Sequence, residues 1–293
     1  MALYAFDGTG NEDREGFDRD TNVLGFFRGY DDALRNDDPK ADRGSLYLKG
    51  IGTLAKTLVG DGLAESFGFG GHRRVRQALD RLENNIEGND TDVDIVGFSR
   101  GAALAISFAN EIAKKLPDVS VRFIGVWDIV GQFGLPGPRL NAGHDLGMPP
   151  NVVHCYHAMA LDESRAFFPL TRLGSGRDTS GRLQEVWFRG VHSDVGGGNG
   201  NRGLNWISLN WMYENARRHG LPINPAEIAA NLTANNLLQR IGEHKLDARV
   251  ERRILANDLL HASVRLDPGE PGRPHNNPTV KLARIDDAGQ IVT

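Results

Sequence analysis

The 293-residue chain is 40% hydrophobic and 25% charged, with a formal net charge of -4. That balance suits a globular protein with a sizeable core and argues against a nucleic-acid binder, which presents a basic face. No run approaches the ~18 apolar residues that span a bilayer, the opening "MALYAFDGTGN" lacks the basic start and apolar stretch of a signal peptide, and the single Cys155 excludes an intrachain disulfide and fits a reducing compartment.

In chain order, the first apolar run is "ALYAF" (2–6), a strand that ends at Asp7-Gly8-Thr9-Gly10-Asn11. A second, "SLYLKGIGT" (45–53), follows a charged loop. "HRRVRQALDRLENNIEG" places Val75, Ala78, Leu79, Leu82 and Ile86 on one helical face, with Gly88 as its stop. "DVDIVGF" (92–98) is a strand ending at Ser99, and "RGAALAISFANEIAKKLP" (100–117) is a helix that stops before Pro117. "VRFIGVWDIVG" (121–131) carries an aspartate near its end, and "LQEVWFRGV" (183–191) runs into His192. Helical patterns follow over 205–220 and 225–245, and "LDPGEPGRPHNNPT" (266–279) reads as a surface loop. Short buried strands alternating with helices predict an α/β fold, a mostly parallel sheet with helices on both faces. Without an internal repeat or a linker, residues 1–293 are expected to form a single domain.

The stretch Gly97-Phe98-Ser99-Arg100-Gly101 fits G-x-S-x-G, and its context is the one the nucleophile elbow of α/β-hydrolases requires: a strand before and a small-residue helix after. A serine hydroxyl needs a base, and the base needs a third group to orient it. Asp128 stands at the end of a later strand and His192 after the next, which gives the order Ser99, Asp128, His192 found in α/β-hydrolases. His261 is a second candidate base, and Asp194 a rival acid or a cap for the glycine-rich loop. His154 and His157 alternate through "VVHCYHAMA" as core or structural residues. Oxyanion donors are expected from the backbone N–H of Arg100 and from the loop at Gly8 and Thr9. The Arg100 side chain either meets a substrate phosphate or pairs with a neighbouring acid, and the second reading is the simpler.

"FDGTGN", "GIGT", "GFSRGA", "FIGVWDIVG", "YHAMALDESRAFF" and "EVWFRGVHSDVGGGNG" occur in that order. Together they resemble the α/β-hydrolase domain of bacterial type VI secretion phospholipase effectors of the first class, over roughly residues 3–265. The resemblance implies an α/β-hydrolase-like fold with Ser99 as nucleophile, Asp128 as acid and His192 as base. It also implies cleavage of glycerophospholipid acyl esters without a metal or other cofactor. Gly10 stands where that family often has Trp, and Ala103 where it has a bulkier aromatic, so the acyl pocket is expected to differ. The implied partner is a lipid or small-molecule ester, with an immunity protein only if the chain is a secreted effector, either cytoplasmic or exported without a signal peptide. Two other classes remain open at this point. One is a metal-dependent hydrolase using Asp7, Asn11, Asp128, His192 and Asp194 as hard ligands. The other is a hydrolase scaffold that only binds.

Overall fold

The computed structural model describes residues 1–9, 20–30, 42–50, 63–131, 146–174, 180–200, 202–234, 241, 250–270 and 273–292. Its strands are β1 (Ala2–Phe6), β2 (Leu46–Leu48), β3 (Val93–Phe98), β4 (Val121–Trp127), β5 (Val152–Ala160), β6 (Leu183–Phe188), β7 (Leu259–His261), β8 (Gly269–Glu270), β9 (Arg273–Pro274), β10 (Ala283–Ile285) and β11 (Ile291–Val292). Its helices are α1 (Asn22–Gly29), α2 (Leu63–Glu87), α3 (Ser99–Lys115), α4 (His192–Gly196), α5 (Arg202–Arg218) and α6 (Pro225–Ala234). Nine strands form one sheet in the order β11-β10-β7-β6-β5-β4-β3-β1-β2. Every pairing in it is parallel except the edge pair β10–β11. The α/β-hydrolase-like, mostly parallel architecture expected from the sequence is therefore the one observed.

Strand alternation divides the core. Tyr4, Phe6, Ile95, Ile124 and Val126 pack with α2 and α3 on one face. Leu3, Ala5, Val96, Phe123 and Trp127 pack with α1, α5 and α6 on the other. Because the period of a strand is two, a one-residue slip would exchange the two faces, so burial on both sides fixes the register. That register pairs Phe6 with Gly97, Phe98 with Trp127, and Trp127 with Ala158. Asp7, Ser99 and Asp128 consequently leave the sheet along the same carboxyl rim, at the point where β1 and β3 lie side by side and the chain order reverses. Open α/β sheets place their ligands at such a switch point.

Close approach explains the glycines. A Cβ on Gly101 would stand 2.3 Å from the Phe6 carbonyl oxygen and 2.4 Å from that of Asp7. One on Gly97 would stand 2.7 Å from the Ala102 Cα. The first turn of α3 thus rests directly on the ends of β1 and β3, and Ala102, Ala103 and Ala105 are fully buried beneath it.

Several elements differ from the sequence expectation. β5 was not anticipated, because His154 and His157 break the apolar run "VVHCYHAMA"; its inner residues, His157 included, are nevertheless buried. α1 was likewise unanticipated; Thr21 caps it by accepting the Leu24 N–H at 3.3 Å. The segment 266–279 holds the small β8–β9 hairpin rather than only a loop. β2 is three residues long, and the rest of 45–53 beyond residue 50, like residues 235–240 and 242–245 of the expected 225–245 helix, lies outside the described residues.

Since overpacking costs about 1–3 kcal/mol even when neighbours are side chains, and here they are backbone, Gly101→Ala is expected to lower unfolding free energy by about 3 kcal/mol or more. Urea denaturation checks this, and a wild-type midpoint would contradict the packing described.

Candidate active site

Ser99 is the first residue of α3 and follows the extended Phe98 (φ -129°, ψ 139°) directly. Its own φ is +59°, a left-handed conformation that costs a non-glycine residue of order 1–3 kcal/mol and persists only where its surroundings impose it. Among the described residues no side-chain hydrogen bond caps this helix start. The N-terminal end of a 17-residue helix therefore presents its N–H groups and positive dipole end beside the serine, an arrangement that favours negative charge. The Ser99 carbonyl accepts from the Val130 N–H at 3.2 Å, tying the elbow to the turn that follows β4.

That turn carries Asp128, fully buried and itself at φ +44°. Trp127, fully buried and packed edge-on against Phe26, anchors the strand end before it. Four donors surround the carboxylate. Oδ2 accepts from the His192 ring at Nδ1 (2.5 Å) and from Arg252 Nη2 (2.9 Å). Oδ1 accepts from the Ala160 N–H (2.8 Å) and from Arg252 Nη1. A carboxylate offers about four acceptor positions, so this one is saturated. Burial alone would push the Asp128 carboxyl up. The Arg252 charge and the His192 hydrogen bond and charge outweigh it, and the group is held well below the usual carboxylate range.

His192 opens α4, a one-turn helix where the sequence had promised a flexible loop. The turn forms because Asp194 Oδ2 accepts the Val191 N–H at 3.0 Å, while Asn22 Nδ2 (2.8 Å) and the Ser208 hydroxyl (2.6 Å) bind the Val195 carbonyl at its other end. The His192 N–H donates to Glu163 Oε2 at 3.1 Å. Its ring lies between Phe98 and Phe168, with centroids 4.6 and 4.8 Å away. Phe98 is the residue before Ser99, and a Cβ on Gly196 would overlap the Phe98 ring, so α4 docks on the elbow itself. With Nδ1 facing a carboxylate, the proton sits there and Nε2 is left as the acceptor. Burial lowers the imidazole below its ordinary 6.5; Asp128 opposes this and Arg252 adds to it. Among the described residues the Ser99 hydroxyl makes no hydrogen bond to the ring; such contacts often tighten only when substrate is bound.

The remaining candidates are placed as follows. Asp7, buried beside the elbow, accepts from Thr21 (2.8 Å), Tyr47 (2.5 Å) and the Gly8 N–H (2.6 Å). The Gly8 N–H is thus engaged and not directed at a substrate oxygen, whereas the Thr9 hydroxyl is buried with no partner among the described residues. Asp194 turns to Val191 and Asn199 (2.7 Å), as a cap rather than as a partner of His192. His261 bonds Ser263 (2.8 Å) and Asp287 (3.1 Å) and stacks on Phe188, apart from Asp128. His157 is a core residue held by Glu185 at 3.0 Å, while His154 stacks on His219. Arg100 is half-buried, which draws its guanidinium below the usual range. Gly10 and Asn11 lie outside the described residues. Among the described residues no three histidine, cysteine or acidic side chains gather as a metal site. Arg252 and Glu163 were not anticipated: Arg252 sits in a charged stretch outside every motif, Glu163 lies within "YHAMALDESRAFF" with nothing to mark its role, and only the fold brings each to the dyad.

Fold and rim residues together define an α/β-hydrolase-like protein. The family described as "T6SS, Phospholipase effector Tle1-like, catalytic domain" matches residues 3–115 and 110–215, and the chain belongs to it. The match ends before β7, short of the span to 265 that the ordered motifs had implied. A crystal structure of an uncharacterized protein from Pseudomonas aeruginosa is similar with a TM-score of 0.56 and 22% identity, covering 78% of this chain and 47% of that one. A structure of the Tle1 effector bound to the VgrG spike of the type 6 secretion system matches with a TM-score of 0.49 and 23% identity, over 69% of this chain and 51% of that one. The chain spans about half the length of both. No curated protein matches it. The family's description names the catalytic domain of phospholipase effectors. No helix among the described residues is long and apolar enough to cross a membrane.

Burial pushes the Asp7 carboxyl from 3.8 up to about 6, against its three hydrogen bonds. A raised folded-state value means that its stabilising contribution is complete below pH 3.8 and is lost as pH rises through 6, a change on the order of 3 kcal/mol. The melting temperature of wild type relative to Asp7→Asn should therefore fall between pH 4 and 7.5. A constant gap across that range would contradict the burial of an ionisable Asp7.

Proposed function

We propose that the protein is a serine hydrolase that cleaves acyl esters of glycerophospholipids through an acyl-enzyme, with Ser99 as nucleophile, His192 as base and Asp128 as the acid that orients it. The observation that carries this reading is the Asp128–His192 pair docked through Phe98 on a positive-φ serine at the head of a helix. His192 Nε2 takes the Ser99 proton as Oγ attacks the acyl carbonyl carbon. The tetrahedral oxyanion faces the helix start, where the N–H of Arg100 and of Thr9 are the donors. The intermediate collapses as the C–O bond to the alcohol breaks, and the Nε2 proton passes to the departing oxygen. Water then attacks the acyl-enzyme, giving its proton to Nε2, and Ser99 recovers that proton as the fatty acid leaves.

The phospholipid substrate rests on the family description, as does an effector's export by a type VI apparatus without a signal peptide. An immunity protein belongs to that effector setting. The single-domain reading is supported by one sheet that runs from β2 to β11. No observation favours the metal-dependent or purely binding alternatives: Asp7, Asp128 and Asp194 are each engaged by hydrogen-bond donors.

Ser99→Ala and His192→Ala are expected to lower kcat on p-nitrophenyl butyrate by about 10⁴-fold or more, and Asp128→Asn by about 10²–10⁴-fold, with the circular dichroism of the wild type. Full hydrolysis by Ser99→Ala would sink the reading, and loss of wild-type activity on adding EDTA would favour the metal alternative. Because His192 must be neutral to accept a proton and its folded value is depressed, kcat/KM should stay on its plateau below pH 6.5 before falling. An acidic limb centred above 6.5 would contradict the burial of the ring.

A further inference from the structure

Arg252 reaches the dyad from outside the segment that the family description matches, and none of the triad's chemistry requires it. Its guanidinium is buried and clamps both oxygens of Asp128. The same Nη atoms are held by the carbonyls of Ala160 (2.7 Å) and Phe168 (3.0 Å), on the segments that flank His192. Asn276 Nδ2 fixes the backbone behind it by binding the Arg252 carbonyl at 3.1 Å and that of Leu161 at 3.0 Å. Among the described residues the Nε–H alone has no partner. A buried guanidinium that leaves a donor unsatisfied while meeting a carboxylate in a two-pronged fork is placed for the carboxylate rather than for its own hydrogen bonding.

We propose that Arg252 is a positioning residue for Asp128: it locks the plane of the carboxylate toward His192 Nδ1 and offsets the negative charge the ring would otherwise face. This rests on the triad reading above.

The fork leaves Oδ2 directed at Nδ1, so the base is held in one tautomer. The permanent guanidinium charge also limits how strongly Asp128 can stabilise imidazolium. The other charged groups around the ring are Glu163, which accepts the His192 N–H and pairs with Arg165 (2.8 Å), and Asp194, which is turned to Val191 and Asn199. None of these replaces Arg252. Without it, an uncompensated Asp128 faces the imidazole, His192 holds its proton to higher pH, and the acidic limb of the rate profile moves upward.

The test is the pH dependence of kcat and KM on p-nitrophenyl butyrate for wild type, R252Q and R252K, with fluorophosphonate labelling of each. R252Q is expected to lose about 100-fold in kcat with KM within about threefold, and its acidic limb should rise by about one pH unit. R252K keeps the charge but not the fork, so its limb should stay at the wild-type position while kcat falls about tenfold. A folded R252Q with wild-type kcat and limb would overturn the inference. So would a loss of kcat shared equally by both variants with neither limb displaced, the behaviour of a purely structural arginine. If R252Q does not fold, R252K carries the test, and a wild-type kcat in R252K overturns the role of the fork. A wild type that neither hydrolyses the ester nor takes the probe removes the triad reading itself, whereas a labelled wild type beside an indifferent R252Q removes only this inference.

Discussion

The carboxylate of Asp128 is the point on which the site depends. Taking an ion of that size out of water costs several kcal/mol unless every lone pair finds a partner. Here the partners come from three stretches of chain: Ala160 at the end of β5, His192 at the head of α4, and Arg252 twice, itself tied to Phe168. No two of these stretches can shift independently without orphaning a buried charge. The positive φ of Asp128 is held in place by the same set of bonds together with the burial of Trp127. An interaction that stabilises the fold therefore also fixes the imidazole.

A second constraint acts at the serine. α3 must approach the end of β1 closely enough that Gly101 has room for no side chain, and that approach turns Ser99 into a left-handed conformation at the switch point of the sheet. α4 then packs on Phe98, so the elbow and the histidine helix share one aromatic contact.

How much of this was legible in the sequence follows from what each element is made of. β1 is an unbroken apolar run, β3 and β4 are apolar beyond Asp94 and Arg122 near their starts, and each is followed by a polar residue, so both the strands and the residues at their ends could be read. α3 declared itself through its small residues and Pro117. β5 hid because two histidines interrupt it, and one of them, His157, is buried only because Glu185 and the Ile129 N–H satisfy its ring. Arg252 could not be read at all. In "VERRILAND" it looks like any solvated charge, and its partner lies 124 positions away. Asp194 offered two readings, acid or cap, and only the path of the backbone around α4 decides in favour of the cap. The sequence also gave no sign that the Gly8 N–H would turn to its own neighbour's carboxylate.

The most direct measurement is mass spectrometry of the protein after incubation with a fluorophosphonate, followed by peptide mapping of the adduct. The account predicts one phosphonyl group per chain, attached to the peptide bearing Ser99, formed by wild type and not by a folded His192→Ala. An adduct on another residue, or none on folded wild-type protein, would contradict it.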